Sequence, residues 1–202
     1  MLPRSIRMTL RYYTIEQLIE MIDQPFREQC MRILTENRQL FETAQGSTNN
    51  HQAWPGGYID HITDGMNFAN QLYTFMSGFG RPLPFSRSDA LLIFFLHDLE
   101  KPWRIKVGKE GAFNAPGLET KDQFKIFRET QLQKHGIVLT PSLMNALTYV
   151  EGEHKDYTSK RRVMNELAAF CHMPDNWCAR GWYDYPKAEG DEWIGAGRVR
   201  TT

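Results

Sequence analysis

Ser86-Arg87-Ser88-Asp89-Ala90-Leu91-Leu92-Ile93-Phe94-Phe95-Leu96-His97-Asp98-Leu99-Glu100-Lys101-Pro102 is the stretch that decides the fold. Ser86 and Asp89 have the spacing of a helix N-cap and its third residue. Ala90 to Leu96 are then apolar without interruption. A helix that is apolar all round belongs at the centre of a protein, covered on every side. His97-Asp98 follows at its end, and a carboxylate there is costly unless it is paired or binds a cation. Pro102 disfavours helix at Lys101 and predicts the end of the segment.

Other helices are readable on either side. Thr14 and Gln17 have capping-box spacing, and Ile15, Leu18, Ile19 and Ile22 make one apolar face of a helix over 14–23. Pro25 fits the first turn of a second helix reaching about Ala44, with Phe26, Cys30, Ile33, Leu34 and Phe41 as its stripe. Gly46 to Asn50 reads as a loop. A third helix is predicted from about Gly57 to Met76, with Tyr58, Ile59, Ile62, Met66, Phe68, Ala69, Leu72 and Tyr73 on a wide apolar arc. Trp103 to Phe113 alternates around Gly108-Lys109-Glu110-Gly111 and predicts the one hairpin. Helices are expected at about 118–134, 141–153 (Thr140 as cap, Pro141 first) and 160–180. The expectation is an all-α helical bundle with a small β-hairpin insertion. The helices of 1–45 pack on a domain of 46–181, since they are too short for a core of their own, and a tail of 182–202 follows.

The chain has 202 residues, enough for one domain with a real core. Lys plus Arg equals Asp plus Glu at 24 each, which argues against a general nucleic-acid coat or a polybasic membrane binder. The longest apolar run is too short to span a bilayer. The first residues, Met1 to Arg7, lack the apolar core of a secretory signal. Cys30, Cys171 and Cys178 form no CxxC pair, which suits a reduced, cytoplasmic compartment.

The six histidines carry the chemical signal: His51, His61, His97, His135, His154 and His172. His61 falls on the arc of Tyr58, Phe68 and Leu72, away from the polar arc of Asp60, Asp64, Asn67 and Gln71. Asp175 lies on the stripe of Ala168, Cys171 and Cys178. One such residue is a hydrogen-bonded core group. Three inward-facing elements with imidazole or carboxylate suit a first-row divalent ion, and no cysteine accompanies them as a structural zinc site would require.

The order His61, His97-Asp98, Asp175 resembles the HD superfamily of metal-dependent phosphohydrolases. His51-Gln52-Ala53-Trp54-Pro55-Gly56-Gly57-Tyr58-Ile59-Asp60-His61 is similar to the His-His-Ala-Tyr-x-Gly-Gly-Leu-x-x-His signature of a branch that includes bacterial 3′–5′ exoribonucleases. Leu96-His97-Asp98-Leu99-Glu100-Lys101 is similar to that branch's Leu-His-Asp-Ile-Gly-Lys. Leu167 to Trp177 resembles its late Leu-x-His-x-Ala-Asp-Asn helix. The resemblance spans about 51–180 and implies an HD-domain bundle with His61, His97, Asp98 and Asp175 as ligands of one divalent ion (Mn, Co, Ni, Fe or Mg). It places His135 and His154 where further histidines hold a second ion or the scissile phosphate, and it matches Lys101 to the family's lysine. His51 reads as a phosphate contact, and His172 as a residue that packs or hydrogen-bonds locally. The chain departs from the branch at Glu151-Gly152-Glu153-His154, where a His-His pair is usual, and at Glu100, where the family has glycine.

Lys101 to Lys134 holds eight Lys and Arg against four acids, a surplus of four directly after the metal string. Lys101 and Arg104 are expected to meet substrate phosphate, and Lys106 onward reads as ordinary solubility. Asp98, Lys101 and Glu100 are the expected catalytic groups: Asp98 to accept a proton from water, Lys101 to offset phosphoryl charge, Glu100 as acid/base or substrate contact. The expected reaction is metal-activated hydrolysis of a nucleotide phosphoester. A 3′–5′ exonuclease on RNA or DNA ends, a non-catalytic metal- or nucleotide-binding HD protein and a diiron oxygenase are the alternatives. The small nucleotide leads because the chain has no basic–aromatic alternation for a strand.

Overall fold

The computed structural model describes residues 11–197; the parts of the predicted first and last segments at 1–10 and 198–202 lie outside the described residues. The order is α1 (Ile15–Ile19), α2 (Phe26–Glu36), α3 (Arg38–Thr43), α4 (Gly57–Ser77), α5 (Arg87–Leu96), α6 (Lys101–Arg104), β1 (Ile105–Gly108), β2 (Gly111–Asn114), α7 (Lys121–Lys134), α8 (Pro141–Tyr149) and α9 (Glu166–Arg180). A 3-10 turn at His154–Asp156 joins the last two. The fold is mostly helical with one antiparallel hairpin, in which Ile105 faces Asn114 and Gly108 faces Gly111.

Every residue from Ala90 to Leu96 is at most 1% exposed, so α5 is the central helix its composition demands. Its Ser86–Asp89 capping box is formed. Helices α1, α2, α4, α8 and α9 pack around it. Burying each Leu, Ile or Phe of this helix stabilises the fold by about 1.5–3 kcal/mol. Ile15, Leu18 and Ile19 of α1 and Cys30, Ile33 and Leu34 of α2 belong to the same continuous core as α4, α5 and α9.

Two glycines set the close approaches that build the site. A Cβ on Gly65 of α4 would stand 1.9 Å from Cζ of Phe94, so only glycine admits that ring between α4 and α5. A Cβ on Gly57 would stand 1.8 Å from the carbonyl oxygen of Gln52, so the 51–52 backbone can cross the first turn of α4.

Several boundaries differ from expectation, each for a local reason. The predicted helix from Pro25 to Ala44 is two helices: at Asn37 (φ −119°, ψ 18°) the side-chain Nδ2 donates to the Ile33 carbonyl, competing with the helix ladder. The segment of α5 ends at Leu96, before Pro102, which instead sits in the first turn of α6, where a missing N–H costs nothing. α8 stops at Tyr149 and α9 begins at Glu166, because Glu153 accepts the N–H groups of Val163 and Met164 and Asn165 caps α9. The polar arc of α4 is buried: Asp60, Asp64 and Asn67 are at most 6% exposed. Asn67 pairs with both backbone groups of Tyr13, and the tail covers the rest, with Trp182 stacked on Phe68 at 5.3 Å.

Gly65→Ala is expected to lower stability by about 1–3 kcal/mol, the overpacking of Phe94 exceeding the helix-propensity gain of about 1 kcal/mol. Urea unfolding of the two proteins measures it.

Candidate metal centre

The end of α5 delivers the first ligands. His97 Nδ1–H donates to the Phe94 carbonyl at 2.6 Å, which fixes the ring and directs Nε2 away from the helix. Asp98 follows in the turn, 1% exposed. His61 comes from the second turn of α4 and Asp175 from the middle of α9. Asp98 Oδ2 lies 3.0 Å from His97 Nε2 and 3.4 Å from His61 Nε2; Asp175 Oδ1 lies 3.3 Å from each of the same nitrogens. The ring of Phe94 flanks His97 (4.6 Å) and His61 (6.1 Å).

These separations are those of ligands around one ion. Two donors bound at about 2.1 Å stand about 3.0 Å apart at right angles and about 3.4 Å apart at the tetrahedral angle. One ligand atom from each of the four residues lies within 4.8 Å of the others. His61 Nδ1 and Nε2, His97 Nε2 and both Asp98 oxygens are buried with no hydrogen-bond partner among the described residues. Buried polar atoms are nearly always satisfied, and close approach without hydrogen-bond geometry is what a set of metal ligands requires. This group of His61, His97, Asp98 and Asp175 can hold a divalent metal ion.

The charges follow the geometry. Burial raises the Asp98 carboxyl, but His97 and Lys101 outweigh it and hold it well below the usual range. Asp175 is lowered against burial by His61 and His97. Burial would lower His97, yet Asp98 and Asp175 push it up to about 10. In the ion-free protein His97 therefore contributes stability that is complete below about pH 6.5 and lost as pH rises through about 10. Asp98 and Asp175 contribute above about pH 4 and lose it in acid.

Around the group sit the other predicted residues. Lys101 is 6% exposed, its Nζ 2.5 Å from Asp98 Oδ2 and 3.4 Å from His51 Nε2. Asp98 raises the Lys101 ammonium against burial. The His51 ring centroid is 5.0 Å from that of His61. Burial, then Lys101, pushes His51 down to about 3, so it is neutral at pH 7.

Glu100 is 1% exposed, and both its oxygens are taken, Oε1 by Arg104 and Oε2 by Arg128, each at 3.1 Å. Burial and Asp98 raise its carboxyl, with the two arginines opposing. It holds two cations in place and is not open to act as an acid. Arg104 stacks over Phe124 at 4.4 Å and, with Arg128, Lys121, Lys125 and His154, lines a cleft of about 320 Å³ that Glu100, Asp122, Glu129 and Glu151 line as well. Arg128, which bonds the His97 carbonyl and Glu100, departs from the solubility expected of the segment, while Lys121 and Lys125 are exposed at the cleft. Lys106 and Lys109 are exposed, as expected of them.

His154 reaches the cleft and not the ligand group. His135 departs from expectation: it caps the C-terminal end of α7, buried, with Nε2 3.9 Å from Glu36, because the helix end turns its ring toward α2. His172 donates from Nδ1 to the Val150 carbonyl at 2.7 Å, the local bond expected of it.

Two participants carry no spacing signal. Arg128 donates to the His97 carbonyl at 2.9 Å as well as to Glu100, from a helix thirty-one residues on. Gln52, fully buried at φ 40°, donates from Nε2 to the Trp182 carbonyl and ties the tail beneath the His51 loop. Comparisons with protein families, with curated proteins and with solved structures found no match to this chain.

A cation entering the group displaces the His97 proton. Calorimetric titration with Mn²⁺ or Ni²⁺ at pH 7.5, in buffers of different ionisation heat, is expected to show about one proton released per ion. Saturating metal at about a hundred times its Kd is expected to raise stability by about 2.7 kcal/mol. Asp98→Asn is expected to abolish both effects.

Glu100→Ala is expected to cost about 3 kcal/mol, the low end for breaking a buried pair because both arginines keep some solvent contact. Thermal unfolding of that variant beside Glu100→Gln measures it.

Proposed function

We propose that this chain is an HD-type metal-dependent phosphohydrolase that cleaves a nucleotide phosphoester. The observation that carries the reading is the placement of a group that can hold a metal ion next to a cleft in which Glu100 fixes both Arg104 and Arg128. The three strings that resemble the HD superfamily support it, since their His and Asp residues are the four that converge.

His61, His97, Asp98 and Asp175 would hold a divalent ion, which would supply Lewis acidity toward a phosphoryl oxygen and an activated water. The chain's residues do the rest. Asp98 Oδ1, which accepts no hydrogen bond among the described residues, is free to hold a proton. Lys101 offsets charge on the phosphoryl group from its place beside Asp98. Arg104 and Arg128 are held by Glu100 with donors to spare, and Arg104 Nε has no acceptor among the described residues, so the pair can grip a second phosphate or the leaving group. His154 and Lys155, at the rim of the same cleft, meet the far end of the substrate.

A small nucleotide suits this cleft better than a strand. Its cations are gathered in one place, and the chain carries no net charge to follow a backbone. The deciding experiment sets nucleoside mono- and triphosphates and a cyclic dinucleotide against a ten-nucleotide RNA and DNA, with Mn²⁺, Co²⁺, Ni²⁺ and Mg²⁺ in turn. Turnover of a nucleotide with shallow salt dependence is expected. Trimming of oligonucleotide ends that weakens steeply with salt would replace the nucleotide reading with an exonuclease. Metal uptake without any turnover would leave a metal-binding protein only.

Lys101→Ala is expected to lower turnover about 100-fold, as for loss of a transition-state charge contact. Metal content should be unchanged or higher, since the Lys101 ammonium competes with the ion for Asp98. Lys106→Ala and Lys109→Ala should change turnover less than about twofold, because exposed charges contribute little.

A further inference from the structure

A second pocket, of about 250 Å³, lies between α4 and the tail, and none of its lining residues belongs to the metal group or the cationic cleft. Its walls are aromatic: Trp182, Tyr185 and Trp193, with the Trp182 and Trp193 rings 5.5 Å apart at 62°. Asp64 lines it as well, from the face of α4 that the sequence marks as polar. Asp64 is only 2% exposed. Its Oδ1 accepts from the Tyr12 hydroxyl at 2.6 Å, and its Oδ2 is buried with no partner among the described residues.

The electrostatic surroundings of Asp64 are one-sided. The charged groups acting on it are Asp60 and Asp191, both acidic, and burial together with these raises its carboxyl to about 8 although the Tyr12 hydrogen bond opposes. The nearby cation, Lys187, is engaged by Asp184 at 3.6 Å and lies over the Tyr185 ring at 4.7 Å. Asp191 supplies no open ligand, since Oδ1 accepts from the Trp193 N–H and Oδ2 from the Lys187 N–H. Asp64 Oδ2 has no partner among the described residues, and a cation entering the pocket would meet an acceptor there and favour the ionised carboxyl.

The walls decide which cation. A bare metal ion needs several converging oxygen ligands, and although the exposed Glu192 also lines the pocket, Asp64 belongs to no converging group of metal ligands among the described residues. Indole and phenol faces attract large, weakly hydrated cations, and aromatic cages of this kind select alkylated ammonium groups. We propose that the Asp64 pocket binds a substituted ammonium ion, with Trp182, Trp193 and Tyr185 as its walls and Asp64 as its counter-ion. The group can arrive on a free choline-like molecule or on a trimethylated lysine side chain. Trp193 Nε1–H is also buried without an acceptor and offers a partner to a hydroxyl beside the cation.

The test uses the full chain and three probes observed by ligand-detected NMR and tryptophan fluorescence: choline, Nε-trimethyllysine, and 3,3-dimethylbutan-1-ol, the neutral carbon analogue of choline. Choline is expected to bind saturably and roughly tenfold or more tighter than the neutral alcohol. Asp64→Asn, which keeps the side-chain volume, should remove that difference, and Trp193→Leu should weaken binding of all cations. Circular dichroism melting confirms that each variant is folded; if neither folds, the comparison of choline with its neutral analogue in the parent protein still decides. Tighter binding of trimethyllysine assigns the site to a protein side chain, and tighter binding of choline to a free small molecule. Equal affinity for choline and the neutral alcohol, no saturable binding of either cation, or unchanged binding in Asp64→Asn overturns the proposal.

Discussion

A carboxylate 1% exposed at the end of the most apolar helix constrains everything near it. Asp98 stays ionised only because two imidazoles and an ammonium crowd its oxygens, with Lys101 at 2.5 Å and His97 at 3.0 Å. Those neighbours must be brought from three helices and held with little freedom. The chain does this with backbone devices: Gly65 admits Phe94 between α4 and α5, and the Phe94 carbonyl then orients His97. Gly57 admits the Gln52 backbone and so seats His51 above His61. The apolar helix and the polar centre are one design, since a dry surround strengthens each charge contact within it.

Three of the buried carboxylates, Asp98, Glu100 and Asp64, have three different settings, and the contrast tells them apart. Asp98 lies among cations and nitrogens without hydrogen-bond geometry, the mark of a ligand. Glu100, two residues on, has both oxygens in good contacts with arginines, the mark of a positioning group. Asp64 has one oxygen bonded by a tyrosine, the other open, and acids for neighbours. Burial alone, nearly equal in the three, would not separate them. The partners do.

Much of the centre was legible before any coordinates. The unbroken apolar run fixed α5 as central, the Thr14 and Ser86 capping boxes formed as their spacing requires, and Gly108 to Gly111 turned the hairpin. His61, His97-Asp98 and Asp175 stood out as polar residues on apolar elements, and the resemblance to the HD superfamily implied them as one ligand set, which the structure brings together. What failed to show was whatever depends on distant chain. Asn37 broke a helix by a side-chain bond that periodicity does not register. Asp60, Asp64 and Asn67 looked solvated, because a polar arc reads as exposed unless one knows that residues 12–13 and 182–193 cover it. His135 looked like a site residue on sequence order, and the direction of a helix end put it against Glu36 instead. Arg128 could not be singled out among the other cations of a basic segment.

Arg128 also explains how the metal centre and the cleft act as one unit. One of its nitrogens, Nη1, bonds both the His97 carbonyl and Glu100 Oε2, so a single guanidinium spans the end of α5 and the cleft wall. A guanidinium has five donors in a fixed fork, and two acceptors on one nitrogen leave the others for a ligand. Glu100 restrains Arg104 in the same way from its other oxygen. On the proposed function, a phosphate in the cleft would meet two arginines whose side-chain entropy was already lost in folding, and would gain more from each contact than from free surface lysines. Glu100, after His97-Asp98-Leu99, thus holds both arginines beside the group that can take a metal ion without belonging to that group.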